Sequence, residues 1–292
     1  MTRFVFIIGS GRCGSSLVQE VLARHPDVGF LSNVDDRLGG LGLTGRWNNA
    51  IYRAVPPALT RKGRLRFAPS EGYRILDKQV SPMLSEPFRD LTEMDDAPWI
   101  QDRVRAFFEQ RYLSQRQPVF VHKFTGWPRA GLLRDALSDA RFIHIVRDGR
   151  AVAASLVQMS WWSGYGGPEN WRWGSLPDEL LDLWEGTGQS WAGLAGLEWR
   201  ILMDAHERAR AALPEDSWLE LRYEDIVSDP SRYFAEMLEF VGLAPSVTFD
   251  AALDRQRFST ARTASFLTDL SGDDLDALDR LIGDHLEHYG YA

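Results

Sequence analysis

Cysteine is almost absent from this chain. Cys13 is the only one in 292 residues. No disulfide can therefore form within the chain, and no cysteine-based metal cluster can be built. Such usage fits a reducing compartment. Histidine is sparse as well, with six residues. His25, His144 and His206 have no partners at metal-ligand spacing, and His285 and His288, three apart on a helix, read as surface residues. No metal is expected. No apolar run approaches the roughly 18–20 residues of a membrane span. The N-terminal run Phe4-Val5-Phe6-Ile7-Ile8 stops at Gly9, with no small-residue cleavage pattern after it, so it reads as a buried strand rather than a signal peptide. A cytoplasmic location is the expectation. Positive charge is in deficit too: 33 Lys and Arg against 41 Asp and Glu give a formal net charge of −8. A general nucleic-acid binder needs a net basic face, so nucleic acid is not an expected partner. A local basic pocket for one small anion remains open.

What is present suits a folded globular chain. The hydrophobic fraction is 44% and the charged fraction 25%, which is ordinary for a globular chain and excludes global disorder. Phe4 to Ile8 reads as a strand buried on both faces. A turn, Gly9-Ser10-Gly11-Arg12-Cys13-Gly14, leads into helical spacing from Ser15 to Arg24, ended by His25-Pro26. Further strands are expected at Val119–Lys123, Phe142–Val146 and Leu219–Tyr223. Helices are expected at Gln101–Gln110 and Arg129–Leu137, from Ala151, from Pro230 and over Asp273–His288. Phe30-Leu31-Ser32-Asn33 is a poor candidate for a further strand, and the basic run Arg61–Arg66 reads as a solvated loop. Strands alternating with helices predict an α/β fold with a mostly parallel central sheet. One domain over 1–292 is expected, with helical insertions at about 30–117 and 160–215. Seven of the eleven tryptophans fall at Trp161, Trp162, Trp171, Trp173, Trp184, Trp191 and Trp199. They either pack a helical insertion or form an aromatic wall for a substrate.

Two strand-to-helix turns carry the chemistry. In Gly9–Ser16, backbone N–H groups and a helix N-terminus converge on one point, a ready site for a phosphate-like anion. The spacing satisfies G-x-G-x-x-G, the dinucleotide fingerprint, with Asp35 and Asp36 near the place of its acidic residue. It also satisfies the start of a Walker A loop, but Ser15 stands where the lysine belongs. In a third reading, Arg12 contacts the anion while Ser15 and Ser16 donate hydroxyls. The second turn, Arg147-Asp148-Gly149-Arg150, would make a second anion site, unless Arg147 simply pairs with Asp148. Two such sites suit a ligand with two separated anionic groups.

Together these residues resemble the sulfotransferases that use PAPS (3′-phosphoadenosine 5′-phosphosulfate), in their bacterial branch. Arg12-Cys13-Gly14-Ser15-Ser16 resembles that family's 5′-phosphosulfate loop. Arg147 with Ser155 resembles its 3′-phosphate motif, and Leu221-Arg222-Tyr223-Glu224-Asp225-Ile226 with Asp229-Pro230 resembles a later strand and helix start. Arg262-Thr263 and the ending Gly290-Tyr291 are similar as well. The chain departs from the animal members, which carry Lys where Arg12 stands and a glycine-lysine motif near the C-terminus that is missing here.

The resemblance implies a three-layer, P-loop-like fold that binds PAPS and releases PAP. Arg12, Cys13, Gly14, Ser15, Ser16, Arg147, Ser155, Tyr223, Arg262 and Thr263 would hold the nucleotide, with Arg12 also stabilising the leaving phosphate. His122, at a strand end where the family places its base, is the expected proton acceptor. Asp35 or Asp36 is the alternative, and Lys123 points to the opposite face from His122. Cys13, at a helix N-terminus where a thiol pKa can fall, is a small loop residue rather than a nucleophile. The implied reaction moves a sulfuryl group to a hydroxyl or amine of a small-molecule, glycan or natural-product acceptor, and a homodimer is compatible with the sequence. Two competing readings stay open: a diverged kinase or NAD(P)-dependent reductase, and a non-catalytic binding protein.

Overall fold

The structure is a computed structural model describing residues 3–39, 44–55 and 67–291. The basic run 61–66 lies outside the described residues. Five strands form one parallel sheet: β1 (Phe4–Ile8), β2 (Val28–Phe30), β3 (Val119–Lys123), β4 (Arg141–Val146) and β5 (Trp218–Arg222), in the order β2-β3-β1-β4-β5. Four of them were expected, within a residue at either end. The addition is β2, which pairs with Val119–Val121 of β3. It is too short for its pattern to register, because Ser32 at once caps the helix Asn33–Leu38: Asp35 N–H donates to Ser32 Oγ at 3.2 Å and Ser32 N–H to Asp35 Oδ2 at 2.9 Å.

β1 explains the layering. All five of its residues are buried, and alternate side chains face opposite ways. Phe4, Phe6 and Ile8 pack under the helices Tyr73–Gln79, Pro98–Gln115 and Ala130–Ala136. Val5 and Ile7 pack under Ser15–Leu22 and Pro230–Val241. This is the three-layer, P-loop-like α/β fold. A further apolar cluster joins the helices Gly149–Leu156, Trp191–Ala212 and Gly272–His288 with Trp162, Trp171, Trp173, Trp184 and Trp199. Most of the tryptophans of that segment are therefore packing residues, while Trp161 and Trp191 are exposed.

Because all five strands run parallel, their carboxyl ends share one edge. β1 lies between β3 and β4, so the connections leaving its two sides diverge and open a crevice above its end. Ligands bind at such a switch point in open α/β sheets.

Candidate active site

The loop after β1 is shaped for close approach. Gly14 has φ +96°, and a Cβ there would meet the Tyr223 ring at 2.3 Å. Only glycine lets Tyr223 lie against the loop. Arg12 is also left-handed, at φ +65°, and its Nε donates to Ser155 Oγ at 2.8 Å. Arg147, following β4, donates from its two terminal nitrogens to the carbonyls of Arg12 and Arg262, both at 2.8 Å. Its guanidinium sits 4.8 Å from the Tyr223 ring centre, and among the described residues its buried Nε has no hydrogen-bond partner. It does not pair with Asp148, which binds Arg150 at 2.9 Å and caps the helix Gly149–Leu156. Arg12, Gly14, Ser15, Ser16, Arg147, Ser155, Tyr223 and Arg262 thus line one cavity of about 530 Å³. Its field is positive: burial first, then the charges of Arg147 and Arg262, lower the pKa of the Arg12 guanidinium.

Two residues expected to hold the nucleotide do not bring their side chains here. Thr263 turns its hydroxyl to the Thr260 carbonyl at 2.7 Å. Cys13 is fully buried on the Val5 and Ile7 side of the sheet, and burial pushes its thiol pKa up, opposite to the lowering a helix N-terminus would bring.

On the other side of the cavity the structure departs from expectation. His122 is fully buried, ringed by Phe124, Phe108 and Phe6 at centroid distances of 4.7, 5.3 and 6.4 Å. Among the described residues neither ring nitrogen has a partner, and burial pulls its pKa down to about 3. It does not line the cavity. The alternative carboxylates do not reach it either: Asp35 is locked in its cap and accepts from Asn48 Nδ2, and Asp36 accepts from Ile75 N–H at 3.1 Å.

The residues that do face the cavity are Lys123, Thr125 and Glu71. Lys123 Nζ donates to Ser16 Oγ at 2.8 Å and pairs with Glu71 Oε1 at 2.8 Å. Thr125 Oγ1 also donates to Glu71. Burial opposes the Lys123 charge, but Glu71 outweighs it and raises the ammonium's pKa. Burial likewise opposes the Glu71 charge, and the pair with Lys123 outweighs it, so the carboxyl falls below its ordinary range. Glu71 arrives on an irregular segment tied to the end of β2, where Ser70 N–H donates to the Leu31 carbonyl at 2.8 Å and Asn33 N–H to that of Ala68 at 3.0 Å. No periodicity or motif marks it in the sequence. Tyr73, Trp161, Arg172, Trp173 and Glu198 complete this side.

An anion cradle, a second arginine cluster and a lysine–carboxylate pair therefore share one cavity. Residues 5–246 match the sulfotransferase family. The chain belongs to that family. It is 25% identical over 194 residues to the omega-hydroxy-beta-dihydromenaquinone-9 sulfotransferase Stf3 of Mycobacterium bovis and of Mycobacterium tuberculosis. The match takes in 63% of this chain and 44% of the relatives, so the chain spans less than half the length of those curated proteins. Among solved structures, the sulfotransferase STF9 of Mycobacterium avium superposes with a TM-score of 0.57 at 16% identity, covering 98% of this chain and 76% of that one. The sulfotransferase domain of the curacin biosynthetic pathway does so with 0.54 at 13% identity, covering 100% and 99%. Both share the fold of this family member. Among the described residues, no helix is long and apolar enough to cross a membrane.

Proposed function

We propose that this sulfotransferase moves a sulfuryl group from PAPS to a hydroxyl of a small-molecule acceptor and releases PAP. One observation carries the reading: in a chain of net charge −8, Arg12, Lys123, Arg147 and Arg262 converge on a single cavity beside the Glu71 carboxylate. Arg147, Ser155 and Arg262 take the 3′-phosphate end. The Gly11–Ser16 amides, Ser15 and Ser16 hold the 5′ end. The bond between sulfur and the phosphate oxygen breaks as the acceptor oxygen bonds to sulfur. Charge then builds on the departing phosphate, where Arg12 and Lys123 stabilise it. The acceptor proton goes to Glu71, which Lys123 and Thr125 hold ionised and oriented. Trp161 and Trp173 give the acceptor an aromatic wall.

Calorimetric titration with PAP, ADP and NADP tests the donor. PAP binding that exceeds that of ADP and weakens about tenfold or more in Arg147→Ala is expected, from loss of charge-assisted bonds to a phosphate. Equal binding of ADP or NADP would overturn the reading.

A further inference from the structure

Glu198 is a carboxyl in a core position. It lies on the helix Trp191–Ala212, is 2% exposed, and is flanked by the buried Leu194, Ala195, Leu197, Trp199 and Leu202. Yet it lines the cavity shared by Glu71 and Lys123. Its Oε2 accepts from Trp162 Nε1 at 2.8 Å. Among the described residues no cationic side chain forms an ion pair with it, and the charge of nearby Arg172 offsets its burial only in part. The buried Trp173 indole N–H stands beside it and, with Trp162, favours its charged form, but burial outweighs both.

We infer that Glu198 anchors a protonated amine carried by the acceptor, away from the hydroxyl that receives the sulfuryl group, in a subsite walled by Trp161 and Trp173. This inference rests on the sulfotransferase reading above. A buried carboxylate without a countercharge is costly, and either takes up a proton or finds a cation. Burial brings the Glu198 pKa up to about 7, so the chain alone leaves it divided between the two states near neutrality. A ligand ammonium supplies the missing charge and donates to the carboxylate, whereas a neutral hydroxyl supplies only the hydrogen bond. The indole faces add cation–π attraction. Arg172 already shows that one of them accepts a cation: its guanidinium lies 4.8 Å from the Trp173 ring centre. Arg172 also favours the charged form of Glu198, but it is exposed and screened by solvent, and burial outweighs it.

The test is binding of 2-phenylethylamine against 2-phenylethanol, followed by tryptophan fluorescence with and without saturating PAP. The two probes differ chiefly in charge. The amine is expected to bind about tenfold more tightly, as a charge-assisted pair implies. In Glu198→Gln that preference should vanish while PAP affinity stays at the wild-type value, which also reports an intact fold. Equal binding of both probes to the wild-type protein, no binding of the amine, or a preference that survives in Glu198→Gln would each overturn the inference. Because the probes are read by binding and not by turnover, failure here leaves the PAP result standing, and failure of PAP to bind leaves the amine result readable.

Discussion

Replacing Glu71 with Gln separates proton transfer from donor binding. The substitution keeps the side chain's size and its hydrogen-bonding oxygen, but removes the negative charge that Lys123 Nζ meets at 2.8 Å. As proton acceptor, Glu71 is worth the usual contribution of a positioned base, about 10²–10⁴ in rate. At 1.36 kcal/mol per decade, that is roughly 3–5 kcal/mol of barrier. Donor binding should respond differently. Lys123 keeps its contact to Ser16 Oγ at 2.8 Å, and a bound phosphate replaces the lost carboxylate as its counterion. The assay measures kcat at saturating PAPS and, in parallel, PAP affinity by calorimetry. A fall in kcat of about a hundredfold or more, with PAP affinity within about threefold of wild type, is expected from those magnitudes. A kcat within about tenfold of wild type would refute the assignment of the base. A matching collapse of PAP affinity would refute it too, since Glu71 would then be holding the donor site through Lys123.

Two further predictions concern the residues on either side of that pair. His122→Phe should leave kcat unchanged and make the protein less sensitive to acid. His122 titrates at about 3 in the fold against 6.5 for an ordinary imidazole, so between those values the unfolded chain binds a proton that the folded chain refuses. Its contribution is fully present above about pH 6.5 and is lost as pH falls toward 3, by up to about 1.4 kcal/mol per unit. Thermal melts from neutral pH down into that range should show the wild type losing stability faster than the variant, and parallel curves would sink the argument. Gly14→Ala should weaken PAP binding about tenfold or more, because a left-handed residue gains a Cβ that drives Tyr223 off the loop and unseats Arg147; titration showing wild-type affinity would contradict it.

The proposed donor half of the site shows in the sequence because it is local. Strand, glycine turn and helix follow one another within Phe4–Leu22, and again from Arg141 through Leu156, so each anion site declares itself in one stretch of sequence. The proposed acceptor half is assembled from distance. Glu71 belongs to a segment with no helix or strand of its own, delivered by two backbone hydrogen bonds to residues 31–33. Glu198 looks like any polar residue on a long helix until that helix is packed. The short strand β2 escaped for a related reason: three residues cannot display a period.

The placement of His122 turns on the parity of one strand. Val119-Phe120-Val121 is apolar throughout, because a central parallel strand is buried on both faces, and such a run says nothing about which residue faces which way. The pairing with β1 does say it. Phe6 stands beside His122, and Ile7 beside Lys123, and neighbours in register share a face of the sheet. The helix Ser15–Leu22, which begins at the anion loop, covers the face of Val5 and Ile7. Lys123 is therefore on the side of the loop and reaches Ser16, while His122 is turned with Phe6 into the opposite layer. The histidine in that layer packs against Phe6, Phe108 and Phe124 and does not line the cavity. Once the loop helix has chosen its face, the lysine lines the cavity and the histidine does not, which is why the proposed proton acceptor is Glu71, from outside the strand.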